Sequence, residues 1–303
     1  MRDVDIEDFF FMSDLGQEKH LPSDYKFEKK WGVPVRFHDF EKFNKLIQPD
    51  IYEFHLSYAD MNLDPSKFIP KSNDCGFVVH APELFEGSHL MDLASPDLKY
   101  RQISIDQTQR VIDITRTLKE FFPNEDKPLI VANIGGFSMD EPFNIGERKK
   151  YYDRFINSLH KLDTDGVELI PQTMAPFPWH FGGQRFQNLF VEIDEIVNYC
   201  EKFKLKMCFD ISHSMLTCNH LNQDFYEFAE KILPFTAHIH MGDARGVNGE
   251  GLQIGDGEID FIRLNKIIQN SPNNISFIPE IWQGHKNEGE GFWIALERLN
   301  GKI

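Results

Sequence analysis

Four side chains able to bind a metal ion interrupt apolar runs in the second half of the sequence. They are Glu168 in GVELIPQ, Asp210 in CFDISH, His240 in HIHMGD and Glu280 in FIPEIW. A carboxylate within such a run is almost never fully buried unless it is paired or bound to a ligand. Three carboxylates beside a neutral imidazole would leave their negative charges uncompensated, so a bound cation is the expected partner.

The chemistry of these groups indicates which ion they would bind. Carboxylate oxygens with a single imidazole nitrogen suit Mn²⁺, Mg²⁺ or Co²⁺ and are compatible with Zn²⁺. The sequence therefore predicts one divalent metal ion as a cofactor. The alternative is a structural set of buried carboxylates neutralised by basic side chains, for which the apolar runs offer few candidates other than Arg36.

Eight short apolar runs alternate with segments of helical periodicity, which is the pattern of repeated βα units around a parallel sheet. The runs lie at residues 32–38, 51–58, 75–82, 128–136, 166–173, 206–213, 236–243 and 276–284. They are nearly continuous in apolar residues, as strands covered on both faces must be. Eight such units predict an α/β fold, a single (β/α)8 TIM barrel. Its active site would form at the C-terminal ends of the strands.

No repeat, low-complexity segment or linker divides the sequence. We therefore expect one barrel over residues 31–303, preceded by a short N-terminal extension, residues 1–30. A doubly wound open sheet is the alternative fold, but no glycine-rich phosphate loop follows the first predicted strand.

Composition excludes several classes of partner. The net charge of −16 opposes binding to a phosphate backbone, so no nucleic acid is expected. Neither a secretory signal nor a membrane-spanning apolar run is present in the sequence, so no membrane association is expected. The four cysteines show no CxxC pairing, which favours reduced thiols in a cytoplasmic protein.

Several segments resemble the xylose isomerase-like barrels, a superfamily of sugar isomerases, ketose epimerases, inositol-pathway dehydratases and family 2 AP endonucleases. The segments are VVHAPE, FDISH, HIHMGDA, IGDGEIDF and PEIW, and they extend over approximately residues 75–285. The resemblance to the epimerases implies that the four polar residues named above hold one metal ion. It also implies substrate contacts by His213 and, with a spacing that is not identical, by Arg245.

Two further places could bind substrate. His80 in VVHAP either contacts the substrate or braces the rim of the barrel. The loop at residues 176–190 either folds over the mouth or packs on the barrel exterior. In the first case Trp179, His180 and Arg185 would contact the ligand.

Three polar residues of the strands are weaker candidates. Glu53 and His55 share one face of the second predicted strand and could line the pocket. His238 lies two residues before His240, deeper in the barrel, where a packed core histidine is the more common case.

The resemblance implies a metal-dependent isomerase or epimerase that acts on a small carbohydrate, whether a sugar, a sugar phosphate or an amino sugar. The ion would polarise the carbonyl of an open-chain sugar and acidify the neighbouring C–H. Glu168 and Glu280, on opposite sides, would then remove and return a proton through an enediolate.

Two other classes of function stay open. WGVPVRFHDF and FGGQRFQNLF weakly resemble barrels of sialic-acid-synthase-type surface-glycan pathways, which would suit an accessory barrel that binds a sugar without turnover. An AP endonuclease is disfavoured, because Asn133 stands at a histidine position of that branch, and Gly249 and Gly251 stand at its Asp-x-His. The sequence does not decide between a monomer and a homo-oligomer.

Overall fold

Eight parallel strands form the central sheet. The computed structural model describes residues 20–180, 183–271 and 274–301. Within these ranges the strands of the sheet are Lys30–Val35 (β1), Ile51–His55 (β2), Gly76–His80 (β3), Leu129–Ala132 (β4), Glu168–Pro171 (β5), Met207–Asp210 (β6), Thr236–Met241 (β7) and Ser276–Pro279 (β8). Their order is β6-β7-β8-β1-β2-β3-β4-β5. A parallel bridge between Gln172 and Cys208 joins β5 to β6, so the predicted (β/α)8 barrel is confirmed.

Eight α-helices lie in the same described ranges and surround the sheet. They are Phe37–Leu46 (α1), Leu98–Lys119 (α2), Ile145–Leu159 (α3), Ile193–Phe203 (α4), Ile211–Leu221 (α5), Phe225–Ile232 (α6), Phe261–Gln269 (α7) and Lys286–Leu299 (α8). The connection after β2 instead contains two 3₁₀ turns, Asp60–Asn62 and Pro65–Lys67. Proline lacks the N–H that a continuous helix requires, which accounts for the short turns there.

The interior of the barrel changes from apolar to polar at one level. An apolar layer consists of Ile51, Val78, Val131, Ile170, Cys208 and Ile278. Residues two apart on a strand share a face, and the residue two positions after each member of this layer is polar. With His240 of β7 they form what we call the polar layer: Glu53, His80, Asn133, Gln172, Asp210, His240 and Glu280. The strands thus end in a ring of polar side chains.

The chain before β1 packs against the barrel. Tyr25 is buried and its hydroxyl donates to the backbone carbonyl of Trp293, at 3.2 Å. The ring of Phe27 meets that of Phe277 edge-on, with centroids 5.0 Å apart. Residues 1–19 of the predicted extension lie outside the described residues, so the division at residue 30 stays a prediction.

Two expectations from composition can be compared with the structure. No helix in the described part of the chain is both long and apolar enough to cross a membrane. All four cysteines are free thiols.

One buried carboxylate holds the loop that follows β7. Asp243 accepts hydrogen bonds from the backbone N–H groups of Ala244 (2.8 Å), Gly255 (3.0 Å), Gly257 (2.9 Å) and Ile259 (3.1 Å). A Cβ atom at Gly257 would collide with Asp243 Oδ1. The loop is therefore built around this one side chain.

We expect Asp243→Ala to lower the free energy of unfolding by about 3 kcal/mol, because buried N–H groups would lose a charged acceptor. Urea denaturation measures this change. The matched control, Asp140→Ala at an exposed position, should stay within about 0.5 kcal/mol of the parent. An equally small effect of Asp243→Ala would contradict this account of the loop.

Candidate metal centre

Three of the four predicted ligands meet at the C-terminal ends of β6, β7 and β8. His240 Nδ1 lies 2.8 Å from Glu280 Oε2 and 3.8 Å from Asp210 Oδ2. One ligand atom from each residue lies within 4.8 Å of the others. His240 Nδ1 is buried and, among the described residues, has no partner in hydrogen-bond geometry. Two carboxylates beside this nitrogen fit a divalent metal ion, and we call Asp210, His240 and Glu280 the ligand group.

Glu168 does not belong to this group, and the prediction that it binds the metal and transfers a proton is wrong. It is the first residue of β5, at the N-terminal end of the barrel. Its Oε2 lies 3.1 Å from Lys206 Nζ and 3.7 Å from Lys127 Nζ. At a rise of about 3.3 Å per residue, it stands about 13 Å along the strand from Gln172.

Gln172 occupies the position in the polar layer that was assigned to Glu168. Its Nε2 donates to Asp210 Oδ2 at 2.8 Å, and its Oε1 lies 3.1 Å from His80 Nε2. The side chain is buried. An amide carries no charge and cannot accept a proton at neutral pH. The ligand group therefore has two carboxylates rather than three.

Glu53 organises the histidines of the barrel interior. It is fully buried, with Oε2 2.6 Å from His238 Nε2 and Oε1 3.0 Å from both His240 Nε2 and His55 Nε2. A histidine that donates Nε2–H to a carboxylate presents Nδ1 as the free ligand atom. Glu53 thus turns the Nδ1 of His240 toward Asp210 and Glu280. Its position on the inner face of β2 was the only sequence signal for this role.

Electrostatics couple these groups. Burial alone would lower the pKa of His240, but Cys208, Glu280 and Glu53 raise it well above its usual value. Burial would likewise raise the pKa of Glu280, and His240 outweighs that effect and lowers it. The pKa of Glu53 is lowered in the same way, chiefly by His240 and His238 against the effect of burial. A proton on His240 therefore offsets part of the negative charge of Glu53 and Glu280, which lie on its two sides.

His213 lies beside the ligand group, as the resemblance implied. Its Nδ1 is 3.1 Å from Asp210 Oδ2, and its Nε2 is 3.7 Å from Glu250 Oε2. Burial opposes protonation, but Asp210, Glu250 and Glu280 raise the pKa of His213. Glu250 was not predicted. It lies in the strand Gly249–Leu252, which pairs with Asp243–Arg245.

Glu83 is a second carboxylate that sequence reasoning missed. It follows β3 by three residues, and its Oε1 accepts a hydrogen bond from Asn133 Nδ2. Glu83 is exposed to solvent, although enough protein surrounds its carboxyl group to desolvate it. This burial, with Glu250 and Glu280 nearby, raises the pKa of Glu83 to about 7 against the opposing effect of His213. The signal that could have found it is its place directly after VVHAP.

The predicted substrate contacts fall into two sets. His80 lies within the site, with its ring 5.6 Å from that of His240. Trp179 is 48% exposed, and the Arg185 guanidinium lies over the Phe137 ring at 5.2 Å. Arg245 is exposed and donates to the backbone carbonyl of Asp256. The side chain of His180 lies outside the described part of the structure. Substrate contact by these residues, and by His80 and His213, stays a prediction.

The model of the xylose isomerase-like TIM barrel family matches residues 45–299. The chain belongs to this family. No curated protein sequence matches the chain. The resemblance inferred from the segments VVHAPE to PEIW is therefore confirmed at the level of the family.

Solved structures of similar fold are consistent with this family. A D-tagatose 3-epimerase-like protein shares 19% identity at a TM-score of 0.59, over 90% of this chain and 99% of that one. An L-ribulose 3-epimerase shares 12% identity at a TM-score of 0.60, over 90% and 93%. The IolI protein with a bound zinc atom shares 13% identity at a TM-score of 0.59, over 90% and 99%. Identities this low show likeness of fold alone.

We expect Glu280→Gln to weaken Mn²⁺ binding at least about tenfold, because the ion would lose a charged ligand. Glu168→Gln removes the same charge at the other end of the barrel and should leave affinity within about twofold. Isothermal titration calorimetry on the metal-free protein measures both. Equal losses in the two variants would return Glu168 to the site.

We also expect Mn²⁺ affinity to rise with pH between about pH 6 and 8. The pKa of His240 is raised by Cys208, Glu280 and Glu53 against the effect of burial, so its Nδ1 proton is held more firmly and must be released when an ion binds. Higher pH makes that release easier, so the affinity for Mn²⁺ rises with pH. Titrations in buffers of different ionisation enthalpy count the released protons. An affinity independent of pH would contradict ligation by His240.

Proposed function

We propose that this chain is a metal-dependent isomerase or epimerase of small open-chain sugars. The observation that carries the proposal is the ligand group at the mouth of the barrel, with Glu83 and Glu250 facing the same space. The similar structures of D-tagatose 3-epimerase-like protein and L-ribulose 3-epimerase support a carbohydrate substrate. The zinc atom bound to IolI supports a metal cofactor.

Asp210, His240 and Glu280 would hold the ion. When bound, a divalent ion supplies a Lewis acid that polarises a carbonyl and makes the adjacent C–H more acidic. Mn²⁺, Co²⁺, Mg²⁺ and Zn²⁺ all suit two carboxylates and one imidazole. Glu53 keeps His240 in the orientation that this binding requires.

Glu280 is the proposed base that removes the proton from carbon. His240 keeps it ionised, and its side chain is 35% exposed toward the mouth. His213, whose pKa is raised, is proposed to donate a hydrogen bond to a substrate oxygen as negative charge develops there. The scheme in which Glu168 is the second base does not hold, because Gln172 stands in its place.

The acidic mouth favours a neutral sugar or an amino sugar as substrate. Asp210, Glu280, Glu250 and Glu83 all contribute carboxylates there, and a phosphate group close to them would be repelled. The four free thiols support the cytoplasmic location expected from composition.

A sugar-binding barrel without turnover is the second candidate. The observation that favours it is Gln172, because a neutral amide at this position removes one carboxylate from the reaction centre. An AP endonuclease remains disfavoured, since Asn133 pairs with Glu83 and supplies no imidazole.

In D₂O with Mn²⁺, we expect the protein to catalyse the exchange of the substrate C–H next to the carbonyl of a ketose or amino sugar for C–D. Glu280→Gln should lower the rate at least about 100-fold, because it removes the base. Nuclear magnetic resonance measures the exchange in a panel of sugars and sugar phosphates. Glu168→Gln serves as the control and should keep the parent rate.

If a sugar raises the melting temperature of the protein but no deuterium exchange occurs, the proposal of catalysis is overturned. That result would favour the accessory binding barrel.

A further inference from the structure

We infer that Glu83 is a second proton-transferring residue of this site, acting on the face of the substrate opposite to Glu280. This inference rests on the proposed function and commits it to epimerisation. Inversion at carbon requires one group that removes a proton and another that supplies one from the opposite face. Gln172 cannot be the second group, so the proposed function requires another residue in that role.

The fold anchors Glu83 at the mouth in two ways. Its backbone carbonyl accepts from the N–H of Met91 at 2.8 Å, at the base of the hairpin formed by Leu84–Phe85 and His89–Leu90. Its side chain accepts from Asn133 Nδ2. Asn133 follows β4 and belongs to the polar layer, so the carboxyl group is held beside that layer.

Strand order places Glu83 and Glu280 on different sides of the mouth. β4 and β8 are four positions apart in the closed order of eight strands, so they face each other across the barrel. Asn133 extends β4 and Glu280 extends β8. A sugar bound at the ligand group would therefore lie between Glu280 and the Asn133–Glu83 pair.

The amide of Asn133 carries an independent sign of a ligand. Asn133 is only 7% exposed, and its Oδ1 is buried with no hydrogen-bond partner among the described residues. Its Nδ2 is committed to Glu83. A buried acceptor without a donor is costly, and a sugar hydroxyl beside Glu83 would satisfy it.

The charges that face Glu83 suit proton transfer at neutral pH. Burial, Glu250 and Glu280 raise its pKa to about 7, while His213 and the hydrogen bond from Asn133 oppose the rise. A carboxyl group in this range exists in both forms and can donate or accept a proton.

The proton balance closes without another reactant. The C–H bond next to the carbonyl breaks, its proton passes to Glu280, and the electron pair forms an enediolate. The protonated Glu83 then donates its proton to the opposite face of the same carbon; the electron pair of the enediolate forms the new C–H bond and the carbonyl is restored. Glu280 ends protonated and Glu83 ionised, which is the starting state for the reverse reaction, and exchange with water resets both.

The test compares Glu83→Gln with Glu86→Gln, an exposed glutamate three residues further along the same loop. In D₂O with Mn²⁺, Glu83→Gln should still exchange the substrate C–H on the Glu280 face but should lose inverted product at least about 100-fold. Glu86→Gln should match the parent in both. Glu83→Asp, which keeps a carboxyl group, should recover part of the inversion.

Two further readouts separate proton transfer from a structural role. The rate of inversion that starts from protonated Glu83 should fall as pH rises through about 7 in the parent, and this inflection should vanish in Glu83→Gln. Infrared spectroscopy of the metal-free protein should show a carboxylic acid band that titrates near neutral pH in the parent and is missing from Glu83→Gln. The Mn²⁺ affinity of Glu83→Gln should equal that of the parent.

The outcomes distinguish the two claims. Exchange and inversion at parent rates in Glu83→Gln would overturn the role of Glu83 and leave the proposed function standing. A parent protein that neither exchanges nor inverts any sugar would overturn both.

Discussion

The buried carboxylate of Glu53 is the interaction on which the mouth of the barrel depends. A fully buried charge is tolerated only when it is paired and hydrogen-bonded. Glu53 meets that requirement through His238 and His240, and His238 is anchored in turn by Ser276 Oγ at 2.7 Å. The pairing of Glu53 also affects β7, because the hydrogen bond to His240 Nε2 orients His240 Nδ1 toward Glu280.

Charge balance explains why an amide is tolerated at Gln172. Asp210 and Glu280 already supply two negative charges, which a divalent ion neutralises. A third carboxylate in contact with them would add repulsion in a buried layer that also lies near Glu250. The additional carboxyl group of the site, Glu83, instead lies outside the ligand group, where the neutral amide of Asn133 donates a hydrogen bond to it.

Sequence reasoning recovered the barrel, because eight apolar runs separated by helical segments leave few other folds. It also named Asp210, His240, Glu280 and His213, which the structure brings together because each lies at or near the C-terminal end of a strand. The run at β5 holds two polar residues on one face, Glu168 and Gln172, with Ile170 between them. Period-two alternation shows that both side chains point to the same face of the strand, but not which of them lies at the level of the metal centre. Glu168 was predicted as the ligand because a carboxylate binds metal ions and an amide seldom does.

The level becomes visible only when all strands are compared. Ile170 belongs to the same apolar layer as Cys208 and Ile278, so Gln172 must stand level with Asp210 and Glu280. Glu83 and Glu250 could not be found in this way, because they lie on connections whose paths are set by tertiary contacts. For Glu250 the decisive contact is the set of backbone amides gathered around Asp243, which fixes the loop in which the hairpin lies.

The orientation of the Gln172 amide also bears on the openness of the metal centre. Asp210 accepts only, so the Nε2 of Gln172 must face it, and the carbonyl oxygen is left to His80. Both ends of the amide are thereby engaged by protein. The ligand group then offers three protein ligands, and an ion held by three protein ligands keeps positions for small molecules, as catalytic centres do and closed structural sites do not. An amide that binds its neighbours is therefore compatible with a working site, provided that the proton it cannot carry is carried elsewhere.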